Sequence, residues 1–162
     1  MTALLVGKTM PGMRVLDVTA AVDVLAARND VDSSRISAVG RAGAALPTLF
    51  AAVFDSRIAK VALDGMLVSY ESVVNERMNQ GIVDQSVPSA LKYFDLPDVV
   101  AALAPRHVAL YNFVNPLGQE LTLSQLRMAY SRAGAAVEIG VRDREEQPFG
   151  PILERFLTAA KN

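Results

Sequence analysis

Arg35-Ile36-Ser37-Ala38-Val39-Gly40-Arg41-Ala42-Gly43-Ala44 is the stretch on which the fold turns. Arg35 to Val39 is a short β-forming run that stops at Gly40. Small residues follow, at Ala42, Gly43 and Ala44, and they lead into a very apolar segment, residues 44–54. The local order is strand, tight turn, helix start. Pro47 falls in the first turn of that helix, where its missing N–H costs little.

Working outward, the same alternation recurs. Residues 12–28 read as a helix, with Met13, Leu16, Ala20, Val24 and Ala27 at helical spacing and Val15, Val18, Val22 and Leu25 widening the stripe. Asn29 to Ser34 is a polar turn. Ile58 to Leu63 is the next strand, closed by Asp64-Gly65. Residues 66–95 are less periodic and carry Glu71, Glu76, Arg77, Asp84 and Gln85, which suits a partly helical insertion over the strand ends. Pro97-Asp98 opens a short helix to Leu103, and His107 to Val114 is a strand ended by Asn115-Pro116. Thr122 with Gln125 has the spacing of a capping box for a helix to about Ala133, with Gly134 at the C′ position. Ala135 to Val141 is a fourth strand, a charged turn spans Arg142 to Gln147, and a last helix runs from Gly150 to Ala160. Strands alternating with helices predict an α/β domain over residues 1–162: a three-layer α/β/α fold around a short parallel sheet of about four strands, with helices on both faces.

Composition narrows the class. At 162 residues one domain is the default. Apolar residues make up 51% of the chain, ample for a core and incompatible with a disordered chain. Lys plus Arg number 16 against 17 Asp plus Glu, so no basic stripe invites nucleic acid. No apolar run reaches the roughly 18 residues that span a bilayer, and the first residues lack the pattern of a secretory signal. The expectation is a soluble, cytoplasmic protein. There is no cysteine, which removes disulfides and thiolate metal sites.

The ordered segments resemble the C-terminal half of an α/β-hydrolase, particularly the bacterial acetyl-xylan-esterase-like and dipeptidyl-peptidase-like esterases. Residues 29–36 resemble the lead-in to that family's nucleophile elbow, Ile58 to Leu63 the strand after it, and Tyr93 to Asp98 with Ala104-Pro105-Arg106 the segment before its acid-bearing strand. The resemblance implies a partial α/β-hydrolase fold, in which the first strands and the loop that supplies half the oxyanion hole have no counterpart. The elbow motif reads G-x-S-x-G. Gly40 keeps its first glycine, Ala42 stands at the serine position and Ala44 replaces the last glycine. The acid position matches Asn115, and the turn where the base belongs, Arg142 to Gln147, has no histidine. The resemblance therefore implies vacant nucleophile, acid and base positions, and no catalytic residue is expected.

Other candidates are weaker. Gly7-Lys8-Thr9 has the end of a phosphate-binding loop, but Thr2 stands where its first glycine belongs and Pro11-Gly12 intervene before the expected helix. His107, the one histidine, heads a strand and reads as structural. Asp143, Glu145 and Glu146 are interleaved with Arg142 and Arg144, which suits a solvated turn, and no metal site or cofactor is expected. Arg41, Asp64, Glu71, Asn115 and Arg142 lie near strand C-terminal ends, where α/β proteins bind ligands, and are the residues of a possible polar pocket. Met10, Met13, Met66, Met78 and Met128 are expected to pack core and lid.

A half-sheet leaves an open edge and uncovered helix surface, which predicts a homodimer or a partner carrying the missing N-terminal half. The functional expectation is a non-catalytic α/β-hydrolase-like protein, an oligomerising interaction or scaffold module. The alternatives are a weak or unconventional carboxylic-ester hydrolase using Asp64 or Glu71, and a module that binds small acyl or sugar ligands.

Overall fold

The structure, a computed structural model, describes residue 5 and residues 7–79, 81–134, 137–141 and 149–158. Among these residues, strands β1 (Ile36–Arg41), β2 (Ile58–Asp64), β3 (His107–Tyr111) and β4 (Val137–Gly140) form one all-parallel sheet in the order β1-β2-β3-β4. The helices are α1 (Met10–Ala26), α2 (Ala45–Phe54), α3 (Tyr70–Asn75), α4 (Leu96–Ala101), α5 (Leu123–Ala129) and α6 (Phe149–Thr158). The sequence order of strands and helices is therefore the order expected. No helix among the described residues is long and apolar enough to cross a membrane.

The pleat divides the strands between two unlike faces. One presents Val61, Leu63, Val108 and Leu110, with Ala38, Val137 and Ile139 at its margins. Side chains of α1, α2, α4 and α5 close over it to make the main core. The other face meets α6, where Leu153 and Phe156 cover Val39, Ala62, Ala109 and Tyr111. The helical layers are thus unequal, and the second face is only partly apolar. Lys60 and His107 are register partners on it. The Lys60 ammonium donates to the carbonyls of Phe156 (3.3 Å) and Leu157 (3.1 Å), a cation at the C-terminal end of α6. His107 stacks on Phe156 with ring centroids 5.1 Å apart, and its Nε2 lies 3.6 Å from Glu138 Oε2. The Tyr111 hydroxyl donates to Glu138 Oε1 at 2.9 Å. Gly140 is required beside it, because a Cβ there would meet the Tyr111 ring at 2.8 Å.

Helix α2 is buried from Ala45 to Ala52, Thr48 included. Its C-terminal end is closed by Arg106, whose Nη1 donates to the Ala52 (2.6 Å) and Ile58 (3.0 Å) carbonyls; burial lowers the pKa of this guanidinium. Just beyond the helix, Arg57 donates to both oxygens of buried Asp55, Nε to Oδ1 (2.9 Å) and Nη2 to Oδ2 (2.6 Å), and Nη2 also reaches Asp23 Oδ1 of α1 at 2.6 Å. These bonds from Arg57 hold the Asp55 carboxyl below the ordinary range.

Several expectations change. The buried side of α1 is Pro11, Val15 and Val22, backed by Val18 and Ala26, whereas Met13, Leu16 and Val24 are exposed. Both stripes have helical spacing, and only the choice of neighbour, α2, decides between them. Of the methionines, Met66 is wholly buried, while Met13, Met78 and Met128 are exposed. Thr9 caps α1, its Oγ1 accepting from Gly12 N at 3.1 Å, so residues 7–9 serve a helix start. β3 ends at Tyr111 rather than Val114, because Asn112 turns into the left-handed region at φ 49°. The Thr122–Gln125 capping box is present, but α5 stops at Ala129, and Gly134 takes its left-handed φ of 80° farther on. In the insertion, α3 and 3-10 turns at Val83–Gln85 and Ala90–Lys92 are the helical parts.

The sign of the Asp55 contribution is set by its lowered pKa. The stability it supplies is complete above its unfolded pKa of about 4 and is lost as pH falls through the lower folded value. Asp55→Asn is expected to cost about 2 kcal/mol at pH 7, the scale of hydrogen bonds to a charged group. Urea unfolding at pH 7 and pH 3 checks this: the gap from wild type shrinks at the lower pH.

Candidate functional site

The corner after β1 is built by a close approach. α2 backs so tightly onto Gly40 that a Cβ would lie 2.7 Å from Ala45 Cα, 2.7 Å from Thr48 Oγ1 and 2.8 Å from the Ala44 carbonyl oxygen. Ala42, two residues on, has φ 47°. A left-handed conformation costs a non-glycine residue about 1 kcal/mol or more, so it is held there by its surroundings. A 3-10 turn over Ala42–Ala44 then hands the chain to α2. Arg14 of α1 secures the turn, its Nη1 donating to Gly43 O at 3.2 Å. The result is a sharp strand-to-helix corner that presents residue 42 to solvent, and that residue carries a methyl group.

Beside the corner, Arg41, Asp64, Tyr111 and Gly140 are successive register partners at the C-terminal ends of the strands. Asp64 is 1% exposed and accepts from Arg41 Nε through Oδ2 at 3.1 Å. The other expected pocket residues are placed differently. Asn115 is engaged by its own loop: Oδ1 accepts from the Leu117 and Gln119 amides, each at 3.0 Å, and Nδ2 donates to Gln119 Oε1 at 2.9 Å. Glu71 lines a separate open groove of about 460 Å³ with Leu91, Lys92, Tyr93, Phe94, Asp95 and Asp98. Arg142 and the acidic turn residues Asp143, Glu145 and Glu146 lie outside the described residues. Arg41 and Asp64 are thus brought together, Glu71 belongs to the groove, and Asn115 orders a turn.

His107 sits at the wrong end of the sheet to serve the corner. It pairs with Lys60, which pairs with Ser37, five residues before Ala42. At about 3.3 Å per residue the two rims are roughly 16 Å apart. Its neighbours are Glu138 and Phe156. Among the described residues no group of three or more His, Cys, Asp or Glu could hold a metal ion.

Two residues escaped the sequence reading. Asp95 accepts from the amides of Tyr70 (2.6 Å), Glu71 (3.1 Å) and Leu96 (2.6 Å), so one carboxylate closes the starts of both α3 and α4. Asp98 completes a capping box by accepting from Asp95 N. The D-x-x-D spacing before Val99 and Val100 was the available signal. Buried Asn112 donates through Nδ2 to Glu120 Oε2 at 2.9 Å while turning the chain out of β3. Its residue type, tolerant of left-handed backbone, was the clue.

The comparisons agree with this architecture. Residues 38–148 match the family model described as Abhydrolase family. The chain is 29% identical over 140 residues to a Bacillus subtilis (strain 168) protein named "Putative hydrolase YtaP", a match covering 82% of this chain and 46% of that protein. Among solved structures it is similar to a "putative acetyl xylan esterase" from Bacteroides fragilis NCTC 9343, with TM-score 0.69 and 20% identity over 91% of this chain and 40% of that one. It is also similar to a glucuronoyl esterase from Solibacter usitatus, with TM-score 0.53 and 15% identity over 90% and 48% of the two chains. At these identities the structures speak for the fold alone. The chain spans half or less of the length of each of these proteins.

The corner geometry predicts opposite outcomes for two small substitutions. Ala42→Gly relieves the left-handed strain and raises stability by about 1 kcal/mol. Gly40→Ala drives a methyl into the backbone of α2 and lowers it by about 3 kcal/mol or more. Thermal unfolding of the two variants reads both.

Proposed function

The chain belongs to the Abhydrolase family, and on that premise we propose that it is a non-catalytic, α/β-hydrolase-like interaction module. The observation that carries the reading is Ala42: a methyl group occupies the left-handed corner that the resemblance assigns to a nucleophilic serine. A methyl carbon has no lone pair with which to attack an acyl group. Removing the nucleophile from a serine hydrolase costs on the order of a million-fold in turnover. Two further observations support the reading. Asn115 spends its amide on its own turn, and His107 lies at the opposite rim of the sheet.

An unconventional ester hydrolase would need a carboxylate to activate water. Asp64 is buried against Arg41, and Glu71 opens into a different groove, so the two form no joint acid–base pair.

Hydrolysis of p-nitrophenyl acetate tests the proposal. Wild type and Ala42→Ser are both expected to match the buffer rate, since restoring the hydroxyl restores neither acid nor base. Wild-type turnover that survives stringent purification overturns the reading. Its loss in Asp64→Asn or Glu71→Gln would assign the chemistry to that carboxylate.

A further inference from the structure

We propose that the groove bounded by Glu71 of α3, Asp98 of α4 and the segment 91–95 binds a neutral carbohydrate, with Tyr93 as the platform on which a sugar ring stacks. Nothing in this depends on chemistry at the Ala42 corner. The groove is open and holds about 460 Å³, within the range of small-molecule sites.

Two consecutive aromatic residues meet the groove and behave oppositely. Phe94 turns inward and packs edge-on against Phe50 of α2, with ring centroids 6.0 Å apart. Tyr93 points the other way and is 85% exposed. The 3-10 turn over Ala90–Lys92 delivers both, and Ser89 starts that turn in the left-handed region at φ 62°. A single exposed ring is ordinary on a protein surface. What distinguishes Tyr93 is that its ring shares a groove with polar groups of both signs.

The walls of the groove are fixed before any ligand arrives. Asp95 accepts from the Tyr70 and Glu71 amides of α3 and from the Leu96 amide of α4. Asp98 in turn accepts from the Asp95 amide at 2.9 Å. One carboxylate thus ties α3 to α4, and Phe94 anchors the segment between them to α2. A preformed site loses little binding free energy to ordering.

The exposed polar groups then select the ligand. Glu71 and Asp98 offer carboxylates, and Lys92 offers an ammonium. The carboxylates repel phosphates and other anions, and Lys92 opposes an organic cation. A purely apolar ligand would desolvate all three groups and give no hydrogen bond in return. A neutral ring with many hydroxyls satisfies both signs. Its O–H groups donate to the carboxylates, its oxygens accept from the ammonium, and its C–H face lies on the Tyr93 ring. A nucleoside also has a flat face, but it has too few hydroxyls to engage all three groups.

The test uses maltotriose, cellotriose and xylotriose as probes, with adenosine, galacturonate and spermidine representing the excluded classes. Binding is read on the whole chain by saturation-transfer NMR and by tyrosine fluorescence, which the absence of tryptophan leaves unmasked. The expected result is binding of at least one trisaccharide, with transfer strongest at the C–H groups of one ring face. Tyr93→Ala weakens it by about tenfold or more, and Tyr93→Phe retains it. Glu71→Gln weakens it by about threefold or more, and Met128→Ala, on the exposed side of α5, leaves it unchanged. Because Tyr93 is exposed, Tyr93→Ala keeps the wild-type unfolding temperature, which separates lost binding from lost fold. Failure of all three trisaccharides to bind overturns the proposal. So does binding that survives Tyr93→Ala, and so does tighter binding of adenosine, galacturonate or spermidine. Ester turnover by the wild type would remove the non-catalytic reading and leave the carbohydrate site in place, so the two failures are distinguishable.

Discussion

The rest of the structure depends on how closely α2 approaches β1. With no Cβ at residue 40, the backbone of Ala45 comes against the strand directly, and the helix is buried from Ala45 to Ala52. Much follows from that contact. α2 in turn supplies the surface on which α1 and α4 pack, and its carbonyl end receives Arg106 and so fixes the entry into β3. The turn between strand and helix has to be short to allow the approach, and that forces Ala42 into the left-handed region. The strain at Ala42 is the consequence of a packing choice made at Gly40.

The order of elements was legible because the strands are short, mostly apolar runs closed by turn residues, and α1 carries apolar residues at helical spacing. The sharp strand-to-helix corner was legible from Gly40 and the small residues after it. What the sequence could not settle was which of two competing signals a neighbour would select. In α1 both Val15–Val22 and Met13–Leu16–Val24 have helical spacing, and only the presence of α2 on one side decides which is buried. In β2, β3 and β4 the polar members Lys60, His107 and Glu138 look like interruptions in a line of text. In three dimensions they are neighbours on one face, tied through Phe156, the α6 carbonyls and the Tyr111 hydroxyl. Period-two alternation hides such a group, because its members come from separate strands.

The candidate pocket dispersed for a related reason. Arg41 and Asp64 met because they are register partners. Nearness to the C-terminal end of a strand did not bring Glu71 or Asn115 to the same place, since each belongs to a segment with backbone demands of its own. Glu71 lies in the first turn of α3, where its amide is held by Asp95, and Asn115 supplies both functional groups to its turn. Position in a fold restricts where a side chain can act, and local hydrogen bonding then decides whether it is available to act.

The corner at residue 42 owes its geometry to packing. Here the conformation persists with alanine, where glycine would relieve the strain by about 1 kcal/mol. Exposure of a reactive group cannot be the cause of a conformation that exists without one. The close packing of α2 on Gly40 and the Arg14 bond to Gly43 are sufficient to maintain it. The corner is thus a device for bringing a helix against a strand without an intervening side chain.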